Sequence, residues 1–181
     1  MSRKSGNPFR LFRRDTRGVA AIEFAFVAML LVAGLLNAVD VGRYEYQLMQ
    51  VENAAEVGAQ AAWATCNDPT TMLPATQNCN YLNSTVAAAI QKTSLGSSVS
   101  LASGYPAEGY YCVNASNTLQ LVGGVGSRPV DCTAAGNASA IPGDYVRIGV
   151  TFTYAPLFPG ISVMGAMGTT AVIRVSWRRL G

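Results

Sequence analysis

Between Val19 and Val39 the chain reads VAAIEFAFVAMLLVAGLLNAV, twenty-one residues that carry one charge, Glu23, and one amide, Asn37. An α-helix of that length, rising about 1.5 Å per residue, spans about 30 Å, the hydrocarbon thickness of a bilayer. The run therefore predicts a membrane-crossing helix. In a chain of 181 residues it leaves space for one modest domain with its own core and not for a second large one.

Charge is distributed around this run in a way that orients it. Arg3, Lys4, Arg10, Arg13, Arg14 and Arg17 precede Gly18, against one acid, Asp15, whereas the rest of the chain holds seven basic and nine acidic side chains. Positive charge directly before an apolar run keeps the N-terminus in the cytoplasm. Nucleic acid is not the expected partner, because the basic cluster abuts an apolar stretch and has no folded, aromatic-bearing reading surface beside it. With half its residues apolar and 13% charged, the chain also falls below the charge content of an average soluble protein.

After Asp40, Val41, Tyr44, Leu48, Val51, Ala55 and Ala59 recur at three- and four-residue steps among charged and amide residues, the pattern of an amphipathic helix. No proline interrupts 19–64, so both parts are expected to form one rod, ended near Cys66 by Asn67-Asp68-Pro69. STVAAAIQKT, Ser84 to Thr93, predicts a short capped helix. Beyond Val99 the chain is rich in Gly, Ser, Asn, Thr and Pro, with β-prone pieces at Gly109–Val113 and Thr118–Val122. The clearest strand signals are the alternating YVRIGVTFTY, Tyr145 to Tyr154, and TTAVIRVSW, Thr169 to Trp177, which would pair with each other. The expected fold class is α+β: a long N-terminal transmembrane-plus-amphipathic helix packed on a small antiparallel sheet. Its expected divisions are a basic cytoplasmic leader (1–18), a transmembrane helix (19–39), an amphipathic extension (40–65) and an extracytoplasmic domain (66–181).

Four cysteines, Cys66, Cys79, Cys112 and Cys132, all follow the apolar run, and the chain has no histidine. Scattered spacing without close C-x-x-C pairs argues against a zinc site and for two disulfides in an exported domain. Cys66–Cys79 with Cys112–Cys132 is the favoured arrangement of the three that four cysteines allow. Without histidine, a nucleophile-elbow serine or a free thiolate, no enzyme, metal or cofactor is expected.

The junction RRDTRGVAAIEF places a carboxylate, Glu23, just inside the apolar helix. Acids within a membrane are unfavourable and usually have a functional partner, although the positive helix N-terminus lowers the cost here. Cleavage after Gly18 would create an ammonium on Val19, one turn from Glu23 and on the same face. Glu23 could then pair with its own N-terminus or with that of a neighbouring subunit.

A basic leader, Gly18, four residues, then Glu23-Phe24 and an apolar helix resembles the prepilin-peptidase site of type IV pilins, in the short form associated with Flp pili. The wider stretch from Arg17 to Ala62 resembles TadE-like minor pseudopilins of the tight-adherence system: Arg17-Gly18 and Ala21 to Phe24 match the cleavage region, Asp40-Val41-Gly42-Arg43 an acid-x-G-R element, and Glu52 to Ala62 a small-residue helix. YVRIGVTFTYAPLFP and TTAVIRV resemble that family's closing strands, while residues 66–143 have no recognised counterpart. The resemblance implies cleavage between Gly18 and Val19 by a prepilin peptidase, an assembly role for Glu23 and Phe24, and residence in the bacterial inner membrane with the C-terminal domain periplasmic. Other pilins and pseudopilins and the tight-adherence secretion machinery are the implied partners, in pilus assembly and surface adhesion. Flp major pilins are shorter and carry tyrosine where this chain has Phe24, which favours a minor subunit.

The rival function is a permanently anchored periplasmic binding or adhesion module, neither cleaved nor assembled. A Sec signal peptide fits poorly, because the apolar run exceeds the usual core and Leu36-Asn37-Ala38 is a weak cleavage site. Gly123-Gly124-Val125-Gly126 lacks the ending of a phosphate loop and is expected as a flexible turn. Asn114 and Asn137 fit the glycosylation pattern but are expected to be ordinary loop residues. Trp63, Trp177 and the tyrosines are expected to fill the core or its rim.

Overall fold

A computed structural model describes residues 16–180. The expected leader lies outside the described residues up to position 15. The described chain divides into two compact units, one formed by the N-terminal helix through Gly42 with Pro156–Gly168, the other by Arg43–Ala155 with the C-terminal strand.

Helix α1 runs from Thr16 to Cys66, so apolar and amphipathic segments form one unbroken helix. Beyond it come α2 (Ala75–Asn78), α3 (Leu82–Gln91), β1 (Val99–Leu101), β2 (Ala107–Val113), β3 (Leu119–Gly124), β4 (Gly143–Tyr154), α4 (Val163–Met167) and β5 (Thr170–Leu180). The class is α+β, a long apolar N-terminal helix followed by a small five-stranded antiparallel sheet.

Strand β4 organises the second unit. Its even positions, Val146, Ile148, Val150, Phe152 and Tyr154, are all buried, as the period-two alternation requires. Along one side it pairs with β5 in continuous antiparallel register, from Asp144 opposite Leu180 to Tyr154 opposite Thr170. On its other side it pairs with β2 at Gly143–Arg147 and with β1 at Val150–Phe152, and β3 extends the sheet beyond β2. The TTAVIRVSW segment thus continues as a strand to Leu180.

Against this core lie Val51, Ala54, Ala55, Ala59, Ala62 and Cys66 of α1 and Leu82, Val86 and Ile90 of α3, all buried. Small side chains let the helix approach closely. A Cβ on Gly58 would stand 2.9 Å from Ile90 Cγ2, 3.0 Å from Ile148 Cγ2 and 3.2 Å from Val86 Cγ1, so this glycine marks where α1, α3 and β4 meet. The predicted apolar stripe holds from Tyr44 onward, but Val41 is exposed. Val41 belongs to the first unit, whereas the buried stripe of Val51, Ala55, Ala59 and Ala62 belongs to the second.

Several local expectations need correction. Helix α3 begins two residues before Ser84, and Ser84 caps nothing: the N-cap position is Tyr81, and the Ser84 hydroxyl donates back to its carbonyl at 3.1 Å. Gly123 and Gly124 are strand residues paired with Tyr110 and Gly109, and only Val125 and Gly126 turn. Gly123 is there for space, since a Cβ would meet Pro129 Cδ at 2.6 Å and Ser127 O at 2.7 Å. Strand β1 and helix α2 carried no clear sequence signal, being three and four residues long.

Sulfur atoms of Cys66 and Cys79 lie 1.96 Å apart, and those of Cys112 and Cys132 1.87 Å, forming two disulfides. The first ties the end of α1 to the residue following α2. The second centres a small subsidiary cluster with Ala135, Val122 and Ala140.

Candidate functional site

Among the described residues α1 is the one helix long and apolar enough to cross a membrane, with a mean hydropathy of 2.5 over its most apolar window and none of that window buried. Phe24, Phe26, Leu30, Leu31 and Leu35 are all exposed, so the apolar surface is not confined to one stripe. A helix apolar on every side requires lipid or neighbouring helices around it. Near its start, Val19, Glu23 and Phe24 are exposed and nothing crowds Gly18. Val19 and Glu23, four residues apart on a helix, share a face.

The other end of the apolar segment carries the most elaborate polar structure in this unit. Asp40 is fully buried. Its carboxylate accepts the amide N–H of Leu157 at 2.9 Å, that of Phe158 at 3.3 Å, and the hydroxyl of Ser162. One turn earlier, Asn37 accepts the Val163 amide at 2.7 Å and donates to Ala33 O at 2.7 Å. Ser162 also accepts the Gly165 amide at 2.8 Å, capping α4. Asp40 and Asn37 together hold the 156–168 segment against the helix. Sequence reasoning found Asp40 only as part of the acid-x-G-R element and Asn37 only as an amide in an apolar run. The available signal was an acid placed just where the apolar run stops. In the second unit, Arg43 donates to Ala155 O at 3.3 Å and lies 6.0 Å from the Tyr154 ring centre, and Tyr44 packs edge-on to the same ring at 5.1 Å.

Elsewhere in the second unit, Glu108 accepts the amides of Ala75 and Thr76, each at 2.7 Å, and the Thr76 hydroxyl at 2.6 Å. Asp144 beside it is buried, and its Oδ1 has no hydrogen-bond partner. Burial, then the neighbouring Glu108, push the Asp144 carboxyl up to about 7, against a smaller pull from Arg128. On the other face of the sheet the Arg147 guanidinium lies 5.2 Å from the Trp177 ring and 6.0 Å from those of Tyr105 and Tyr111. These aromatics pack on the sheet, while Trp63 lies at the rim with Arg178 5.5 Å from its ring. Asn114 closes a loop, its side-chain oxygen accepting from Ser116 and Thr118 at 3.0 Å each. No cluster of three or more acidic or cysteine side chains able to hold a metal is present among the described residues.

These features define an α+β protein built on a single N-terminal helix long and apolar enough to span a membrane. Residues 18–60 match the model of the TadE-like protein family. The match covers the candidate span and its polar end, and stops before the disulfide-bearing region. No curated protein matches the chain, and no solved structure does.

Proposed function

We propose that this protein is a minor pseudopilin of a tight-adherence pilus, with a structural and not an enzymatic role. One observation carries the reading: the TadE-like match over 18–60 falls on a helix whose exposed start presents Gly18, Val19 and Glu23 in the order of a prepilin cleavage site. In this reading 1–18 is a cytoplasmic leader, 19–39 crosses the bacterial inner membrane and the remainder is periplasmic. A prepilin peptidase cuts between Gly18 and Val19. The freed ammonium then meets Glu23, on its own chain or on a neighbouring pilin or pseudopilin, fixing axial register, and Phe24 packs in the same contact. The mature subunit works with the tight-adherence machinery in pilus assembly and surface adhesion.

The test is the intact mass after co-expression with a prepilin peptidase. A drop equal to residues 1–18, abolished by Gly18→Ala, is the expected result. Unchanged mass would instead favour a permanently anchored module. Glu23→Ala should leave insertion intact and weaken crosslinking to partner pseudopilins.

A further inference from the structure

The segment from Pro156 to Gly168, PLFPGISVMGAMG, contains no charged residue. Its apolar side chains alternate between two fates. Met164 is buried, whereas Leu157 is 50%, Ile161 63%, Val163 64% and Met167 60% exposed. A loop that shows this much aliphatic surface to water is unusual, and its position gives the reason. It is held to α1 by Asn37 and Asp40, at the far end of the apolar run. Asn37 lies eighteen residues beyond Val19, about 27 Å along the helix, still within the hydrocarbon thickness that the run matches.

The polar groups are arranged to suit that position. Irregular backbone is tolerated at membrane depth only where its amides and carbonyls find partners inside the protein. Here the Leu157 and Phe158 amides are taken by Asp40, the Val163 amide by Asn37, and the Gly165 amide by the Ser162 hydroxyl. Phe158 O in turn accepts from the Ile161 and Ser162 amides, each at 3.2 Å. Gly165 lets the loop fold tightly on itself, since a Cβ there would lie 2.9 Å from the Gly160 amide nitrogen. The result is a compact, uncharged knob in which the amides of 157, 158, 161, 162, 163 and 165 find partners inside the protein while Leu157, Ile161, Val163 and Met167 face outward.

We propose that the 156–168 loop is a second membrane contact, a knob that seats Leu157, Ile161, Val163 and Met167 at the boundary between headgroups and acyl chains beside the α1 span. This rests on the reading of 19–39 as membrane-spanning. The loop sets the depth of the helix at its extracytoplasmic end, with Asp40 as the polar pin beneath it.

The full-length protein, with its native cysteines in disulfides, would be labelled with an environment-sensitive fluorophore at Ile161→Cys or Val163→Cys and reconstituted in phospholipid vesicles. Val130→Cys, at a position 92% exposed in the other unit, reports water, and Leu30→Cys, near mid-span and read with lipids carrying a deep nitroxide near the end of the acyl chain, reports the span itself. The expected result is a blue-shifted emission at 161 and 163, with at least a twofold loss of intensity when lipids carrying a shallow nitroxide are included, and no such loss at 130. Labels at 161 and 163 as wet as that at 130, with Leu30→Cys quenched, overturn the proposal and leave the spanning helix standing. A blue shift without quenching by lipid nitroxides also overturns it and assigns the face to a protein neighbour. Absence of quenching at Leu30→Cys removes the spanning reading and this proposal together.

Discussion

Gly58 of α1 lies against Ile148 of β4 so closely that a Cβ on the glycine would stand 3.0 Å from the isoleucine Cγ2. Ile90 and Val86 close the same spot from α3. Glycine in a helix interior costs about 1 kcal/mol relative to alanine, and here that cost is offset by close contact of three elements. Gly58→Leu should therefore destabilise the domain by about 1–3 kcal/mol, the range for overpacking a filled core. Denaturant unfolding checks this, and a variant as stable as the parent would show that the three elements separate easily.

Asp40→Ala removes the acceptor for the Leu157 and Phe158 amides and the Ser162 hydroxyl at once. Hydrogen bonds to a charged group contribute about 1.5–3 kcal/mol each at most, and their loss is not additive. We expect amide exchange at 157 and 158 to accelerate at least tenfold while the β4 and β5 amides keep their protection. Equal acceleration throughout would mean that the carboxylate supports the whole fold and not this loop.

Asp144 makes stability depend on pH in an uncommon direction. Its folded pKa, about 7, lies above the usual 3.8, so the folded state holds the extra proton and stability falls as pH rises from about 4 to 7. Asp68 works oppositely. Hydrogen bonds from Thr70 and Thr71 lower it to about 2, so its contribution is present above pH 4 and is lost only as pH falls towards 2. The two windows do not overlap. Asp144→Asn should stabilise the protein relative to the parent at pH 8, by about 2–4 kcal/mol more than at pH 4. An identical difference at both pH values would contradict the burial and charge argument.

The Cys112–Cys132 disulfide closes a loop with a sequence separation of 20. Chain-entropy arguments give such a crosslink about 3 kcal/mol. Replacing both cysteines by alanine should lower stability by about that amount, read from the denaturation midpoint. No shift would mean that the Ala135, Val122 and Ala140 cluster holds this region unaided.

Much of this architecture is legible in the residues. Period two in 145–154 and 169–177 marks the two longest strands, although only β4 buries one face throughout, while β5 buries just Val172 and Leu180 and leaves Ile173, Val175 and Trp177 exposed. The helix is equally plain, since an apolar run and an amphipathic stripe follow each other without a breaker. What stays hidden is non-local. Nothing near Asn37 announces that its amide accepts from a residue 126 positions later, and nothing near Asp144 announces Glu108. Gly123 and Gly124 look like a turn because glycine usually marks one, but Gly123 is required by a close approach to Ser127 and Pro129 that arises only after folding. Asp40 stands out as an acid at the end of the apolar run and through its likeness to a motif, but neither indicates that it holds the 156–168 segment.

Strand β5 lies along the whole of β4, and Leu180 near its end is almost entirely shielded from solvent. These pairings, which run from Tyr154 opposite Thr170 to Asp144 opposite Leu180, cannot form until the later strand has been delivered. A chain threaded through a translocation channel from its N-terminal side would have its long helix in place while the sheet still lacked a flank. The second unit would therefore stay pliable in transit and close only after the last strand had emerged.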